Sequence, residues 1–137
     1  MTHPRATIRN AVADRLSSIA TVRRNRAQPL QREDVPCLAI YTRSEAVTEG
    51  LSYRERNLDL VVDAYAKAGE GLDDALDDLV EAIEAAVDLD PTFGGLAVAT
   101  VLTNTVVELS GDGETAMGVV RLWYRLTYDT PYGQPAP

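Results

Sequence analysis

Few residues of this sequence combine the type and the spacing that catalysis or metal binding requires. His3 is the only histidine and Cys37 the only cysteine. A Ser/His/Asp or Cys/His site needs a histidine beside its nucleophile, and His3 lies near one end of the chain. Cys37 sits in an apolar run, which fits either a small buried hydrophobe or a reactive thiol. We therefore expect no enzymatic activity, no catalytic residue and no cofactor.

Carboxylates are the second group with possible chemistry. Positions 70–90 hold nine acidic residues and no basic one, within a chain of net charge −8. Asp73 and Asp77, like Asp74 and Asp78, are four residues apart and would be neighbours on a helix. A hard cation could bridge such a pair, but no loop motif supplies further oxygen ligands. The acidic run is therefore a solvated helix face, a subunit contact or, least well supported, a metal site, and we predict no metal.

Basic and aromatic residues near the C-terminus form a third group. Arg121, Trp123 and Arg125 alternate along one strand and would share a face. Such a face could stack on nucleotides. Trp and Arg are also enriched where one subunit covers another, and the acidic chain favours that second interpretation. The nearby segment 111–113 (GDG) lacks the ligands of a calcium loop and is better explained as a hairpin turn.

Hydrophobic periodicity defines the elements that must position these residues. Apolar residues recur at helical spacing in residues 5–19, with Thr2 or His3 as cap, and in residues 72–87. Alternation typical of strands is found in four other segments, and an edge strand at 25–30 is conceivable. These four segments are residues 35–43, the stretch from Tyr53 to Ala64, residues 96–109 and residues 118–129. Residues 44–51 lack apolar periodicity and are expected to form a long hairpin loop.

This element order predicts an α+β fold. An amphipathic helix must lay its apolar stripe on a sheet, so we expect an antiparallel sheet of about four strands with two helices packed on one face. The length fits a single domain, residues 1–130, followed by a flexible Pro-rich tail, residues 131–137. No apolar run is long enough to cross a membrane.

The order and length of the elements resemble the tail-terminator proteins of long-tailed phages, of the lambda minor-tail-protein U type. Five segments carry the resemblance: residues 6–12 (ATIRNAV), 35–42 (VPCLAIYT), 72–76 (LDDAL), 111–113 (GDG) and 122–128 (LWYRLTY). The most specific are the second and the closing LTY. The Pro-rich tail has no counterpart in that family.

The resemblance implies a structural, non-enzymatic role in a virion or a phage-like particle such as a gene transfer agent. The protein would form a homohexameric ring, assembled in the host cytoplasm, at the junction of tail and neck. The ring would cap the tube of major tail protein, stop its polymerisation and offer a head–tail joining surface to neck proteins, with DNA only passing through. The alternatives are a head–tail connector of the neck, a non-phage α+β adaptor module that binds proteins and, least well supported, a small enzyme that uses carboxylates alone.

A ring requires two unlike surfaces on each subunit. Residues 1–32 hold seven arginines against one acid, so the chain is basic at its start and acidic in its middle. We expect contact between these charges, or else acidic residues that line the channel and repel passing DNA. The candidate interface residues are Arg23, Arg24, Arg26, Asp74, Asp78, Arg121, Trp123 and Arg125.

Overall fold

The computed structural model describes residues 3–23, 35–67, 71–110 and 117–131. These ranges contain two helices and five strands. The elements are α1 (Pro4–Leu16), β1 (Thr21–Arg23), β2 (Cys37–Glu49), β3 (Tyr53–Lys67), α2 (Leu72–Leu89), β4 (Ala99–Ser110) and β5 (Met117–Pro131). The predicted edge strand at 25–30, the turn at 111–113 and residues 132–137 of the predicted tail lie outside the described residues.

The five strands form one mixed sheet in the order β1-β2-β3-β5-β4. The pairs β2–β3, β3–β5 and β5–β4 are antiparallel, whereas β1 pairs parallel to β2. The α+β class is confirmed, but the prediction of about four antiparallel strands is wrong in the number of strands and in the direction of one. β1 has only three residues, which is too short to show an alternation of apolar and polar residues.

The N-terminal cap and the buried face of helix α1 agree with the sequence prediction, whereas its C-terminal end does not. The Nδ1 atom of His3 accepts a hydrogen bond from the backbone N–H of Arg5 at 3.1 Å, which confirms His3 as the cap. Pro4 fits the first turn because its missing N–H has no partner there. Ile8, Val12 and Leu16 are buried, and the helix ends at Leu16, three residues earlier than the periodicity predicted.

The hairpin of β2 and β3 corrects the sequence prediction for residues 44–51. β2 continues as a strand to Glu49, with a register shift between Thr42 and Ser44 that leaves Arg43 as a bulge. After the bulge, Glu45 lies on the helix side of the sheet, where its carboxylate is almost buried among polar partners. The strand therefore lacks apolar periodicity because polar groups line this part of its covered face.

Both helices pack on the same face of the sheet. Leu76, Ile83 and Val87 of α2 join the α1 residues and the even-numbered residues of β3 and β5 in one buried cluster. Each large apolar side chain buried in this way contributes about 1.5–3 kcal/mol. α1 lies nearer β2, and α2 lies over β3 and β5. This arrangement leaves the opposite face of the sheet, called the outer face below, without a helix among the described residues.

Arg15 joins the two helices. Its Nη1 atom donates to the carbonyl oxygen of Asp90 at 2.5 Å and approaches those of Ala86 and Val87 at 3.4 Å. Its guanidinium also lies 3.8 Å from the centre of the Phe93 ring. α2 has no basic residue in its last turn, so this arginine supplies the positive charge that the carbonyl end of a helix favours.

Candidate subunit interface

The outer face carries a buried ionic cluster around Asp63. The register pairs Asp63 of β3 directly with Arg121 of β5. Arg121 donates from Nε to Oδ1 of Asp63 at 2.8 Å and from Nη2 to Oδ2 at 3.2 Å. The hydroxyls of Tyr41 and Tyr65 also donate to Oδ2, at 3.1 and 3.4 Å. Four hydrogen bonds thus compensate a carboxylate whose residue is 2% exposed.

This cluster changes the role of Arg121, one of the predicted interface residues. The hydrogen bonds to Asp63 raise the pKa of the Arg121 guanidinium above its ordinary value. Burial and the Asp63 charge raise the pKa of the Tyr65 hydroxyl. The two-point pairing fixes Arg121 to Asp63 on the neighbouring strand, so it braces the outer face.

The other two predicted residues of β5 share this face at different depths. Trp123 is half-buried and lies opposite Val61, whereas Arg125 is exposed and lies opposite Asp59. Polar pairs surround them: Ser44 donates to Asp59 at 2.9 Å, and Thr127 donates to Asn57 at 2.8 Å. The sequence correctly placed Arg121, Trp123 and Arg125 on one face, which also carries Asp63 and the tyrosines that bind it.

Strand β4 forms one edge of the sheet and exposes apolar side chains. Val101, Val107 and Leu109 are 52%, 56% and 59% exposed. Val101 pairs with Arg125 and so belongs to the outer face, while Val107 pairs with Val120 and lies on the helix side. Glu108 is the only charged residue of the strand. Sequence reasoning treated β4 as one arm of a hairpin and missed its exposed apolar side chains.

The acidic residues of α2 lie in two rows. Burial and the charges of Glu84 and Asp88 raise the pKa of the buried Tyr124 hydroxyl on β5, which places these carboxylates on the side of α2 that faces β5. Helical spacing aligns Asp73 and Asp77 with Glu84, and we call these four acids the β4-side row. Asp78 instead lines a hollow with Ser18 and Pro36, on the side towards α1. Asp74 and Asp78 form the α1-side row.

The α2 carboxylates of both rows are free of ion pairs with the described residues. Asp73, Asp74, Asp77, Asp78 and Asp88 are exposed, and Glu84 is half-buried. Seven acids and no base within one helix make this the most negative surface of the described chain. Asp74 and Asp78, predicted as contact residues, are therefore available to a partner.

Basic residues surround a depression of about 350 Å³ at the β2 edge. Arg5 and Arg9 from α1 and Arg43 from the β2 bulge line it, together with Glu45. Within the described ranges, Arg9 and Arg43 form no ion pair. Sequence reasoning missed this site because it looked for the basic partner among Arg23, Arg24 and Arg26. In the sequence, only the basic character of α1 pointed to this depression.

A polar network closes the floor of this depression. Glu45 accepts from Arg56 at 2.7 Å, from Arg5 at 3.4 Å and from the hydroxyl of Tyr128 at 2.5 Å. Arg56 also donates to Thr130 at 2.9 Å. Burial and the bond to Glu45 raise the pKa of the Tyr128 hydroxyl. Two arginines on one carboxylate leave the depression with a net positive charge.

Of the other predicted basic residues, Arg23 lies on the same side of the sheet as the depression, because β1 pairs with β2, and it lines a smaller hollow together with Arg9. Arg23 is the half-buried last residue of β1 and has partners of its own. Arg24 and Arg26 lie outside the described residues. Cys37 is fully buried, which fits a small hydrophobe better than a reactive thiol.

No group of three or more potential ligands among the described residues is arranged to hold a metal ion. None of the described helices is long and apolar enough to span a membrane. The sequence matches no protein-family model and no curated protein. The described residues thus combine an α+β fold with an acidic helix over β3 and β5 and a basic depression at the β2 edge.

Proposed function

We propose that this chain is a phage-type tail terminator, which forms a ring, caps the tail tube, stops its polymerisation and provides the head–tail joining surface. The observation that carries the proposal is the separation of charge across the sheet. The acidic helix α2 lies over β3 and β5, on the β4 side of α1, and the basic depression lies at the β2 edge. Because the unlike charges lie at different places across the sheet, copies of the chain can associate head to tail and close into a ring.

The chemistry of the described residues supports action through surfaces. Asp63 and Glu45, the most buried carboxylates in the ion pairs described above, are each held by arginine and tyrosine partners. Both clusters brace β2, β3 and β5 against one another. The exposed charges of α2 and the basic depression are then the groups available for recognition.

A tube-growth assay tests the proposal. The purified chain is added to polymerising tail-tube protein encoded in the same genome, and tube lengths are measured by negative-stain electron microscopy. We expect growth to stop, with extra density at the blocked ends. Unchanged tube length at saturating concentration would overturn the proposal. Binding to neck proteins without any effect on tubes would instead assign the chain to a connector of the neck.

A further inference from the structure

The long open edge of β4 is the surface feature that the charge argument leaves unexplained. β4 has twelve residues and pairs with β5 on one side; on its other side it has no neighbour among the described strands. Proteins usually protect such edges with lysine, proline or short strands. β4 has neither lysine nor proline, and it exposes Val101, Val107 and Leu109. A single bulge near Thr103 is its only irregularity.

We infer that β4 is the contact strand of the ring and that its first half adds antiparallel to the part of the β2 edge, beyond Ala39, that β1 leaves open in the next copy. This inference rests on the proposed ring. The partner edge is also open: β1 covers only Cys37, Leu38 and Ala39 of β2, so among the described strands the rest of β2 pairs with β3 alone. One continuous sheet would then run from subunit to subunit.

Strand direction fits this contact. β3 runs opposite to β2, β5 opposite to β3, and β4 opposite to β5, so β4 runs opposite to β2. A rotation about an axis along the strands keeps every direction unchanged. β4 of one copy therefore meets β2 of the next in the antiparallel sense, the pairing already used for most of the sheet.

Charge selects this arrangement over a twofold pairing of β4 with β4. A twofold contact of two β4 strands would turn the β4-side rows of two α2 helices towards each other. The head-to-tail contact instead turns Glu84 and Asp88 of this row towards the basic depression formed by Arg5, Arg9 and Arg43 of the next copy. Both acids lie near Tyr124, which the register places level with Thr42 in the lining of the depression. The opposite charges across the head-to-tail contact attract each other, whereas the two acidic rows of a twofold contact would repel each other.

The register within the sheet predicts which residues meet. Val101 pairs with Arg125, Arg125 with Asp59, and Asp59 with Ser44, so Val101 and Ser44 lie at one level on the outer face. In a flat ring, Val101 of one copy therefore lies beside Ser44 of its neighbour. Neighbouring strands are about 4.8 Å apart, which brings the two side chains within reach of a short cross-linker.

Cysteine cross-linking tests the contact. The double variant V101C/S44C is treated with a bismaleimide whose spacer spans about two strand spacings, ~10 Å, both in solution and with tube ends present. We expect a ladder of covalent multiples on a denaturing gel. The single variant V101C should stay monomeric, and the unmodified chain with buried Cys37 serves as the blank. Absence of the ladder under both conditions, or dimers from V101C alone, would overturn the inference.

Lysine substitutions separate this inference from the proposed function. V101K/V107K should weaken self-association at least tenfold, measured by sedimentation, whereas L51K/L89K adds the same charge at fully exposed apolar positions and should change it less than twofold. Circular dichroism verifies that both variants are folded. If rings form equally with V101K/V107K, the β4 contact is wrong and the ring proposal stands. If β4-dependent rings form but never affect tube growth, the contact stands and the terminator function is wrong.

Discussion

At the scale of single residues, Arg15 holds α2 and the following turn to α1. It satisfies carbonyl groups at the end of α2, contacts Phe93 and lies 3.7 Å from the carboxylate of Asp90. We expect Arg15→Met to lower the free energy of unfolding by about 1–2 kcal/mol, because the helix end loses its positive charge and its cation–π contact. Urea denaturation measures this change. Arg43→Met, at an exposed bulge, should alter stability by less than about 0.5 kcal/mol, and equal losses would contradict the role given to Arg15.

Asp63 is the residue on which the outer face depends. Asp63→Ala leaves Arg121 and two tyrosine hydroxyls without their shared acceptor. We expect a loss of about 2–4 kcal/mol in the free energy of unfolding, since breaking a mostly buried ion pair leaves its partners without a hydrogen-bond acceptor. Asp59→Ala, which removes one exposed hydrogen bond from Ser44, should cost less than about 1 kcal/mol. The prediction fails if the two variants unfold at the same denaturant concentration.

The sequence allowed only part of the residue-level site to be predicted. Alternation correctly placed Arg121, Trp123 and Arg125 on one face, because the period of a strand is fixed by its backbone. It could not show that Arg121 is engaged by Asp63, since their cross-strand register spans 58 positions of sequence. The same reason hid the meeting of Arg5, Arg9 and Arg43.

At the scale of elements, α2 approaches β5 closely at Gly118. A Cβ atom at this position would lie 2.8 Å from Cδ1 of Leu76 and 2.9 Å from Cδ2 of Leu109. Gly118→Val should therefore push α2 or β4 aside and lower the free energy of unfolding by about 1–3 kcal/mol. Thermal and urea denaturation measure the loss, and Gly118→Ala should show a smaller one. A valine variant as stable as the native chain would show that this contact is loose.

The helices were predictable from sequence, whereas the edges of the sheet were not. The stripe of α2 and the cap of α1 depend on residues a few positions apart, which sequence periodicity reports directly. β1 has too few residues to show an apolar period. In the second half of β2, the buried position on the helix side is occupied by Glu45 and not by an apolar residue. Both misjudged segments belong to the edge that we propose as a subunit contact.

At the scale of the whole molecule, we expect assembly to depend on attraction between unlike charges on neighbouring copies. Reversing the two acids of the β4-side row that lie level with the basic depression, with E84K/D88K, should raise the dissociation constant for assembly at least tenfold. D74K/D78K changes the charge of the same helix equally in the α1-side row and should have a smaller effect. Light scattering at low and high salt measures both, and salt should weaken the native assembly because exposed charges are screened. A larger effect of D74K/D78K would move the contact to the α1 side.

The central claim is that copies of this chain form a closed head-to-tail ring at the end of a tail tube. Native mass spectrometry of the unmodified protein, combined with electron microscopy of tubes to which it has been added, tests this most directly. We predict a six-copy assembly and a ring of the same size on each blocked tube end. A chain that stays monomeric or dimeric in solution and leaves every tube end bare would contradict the account.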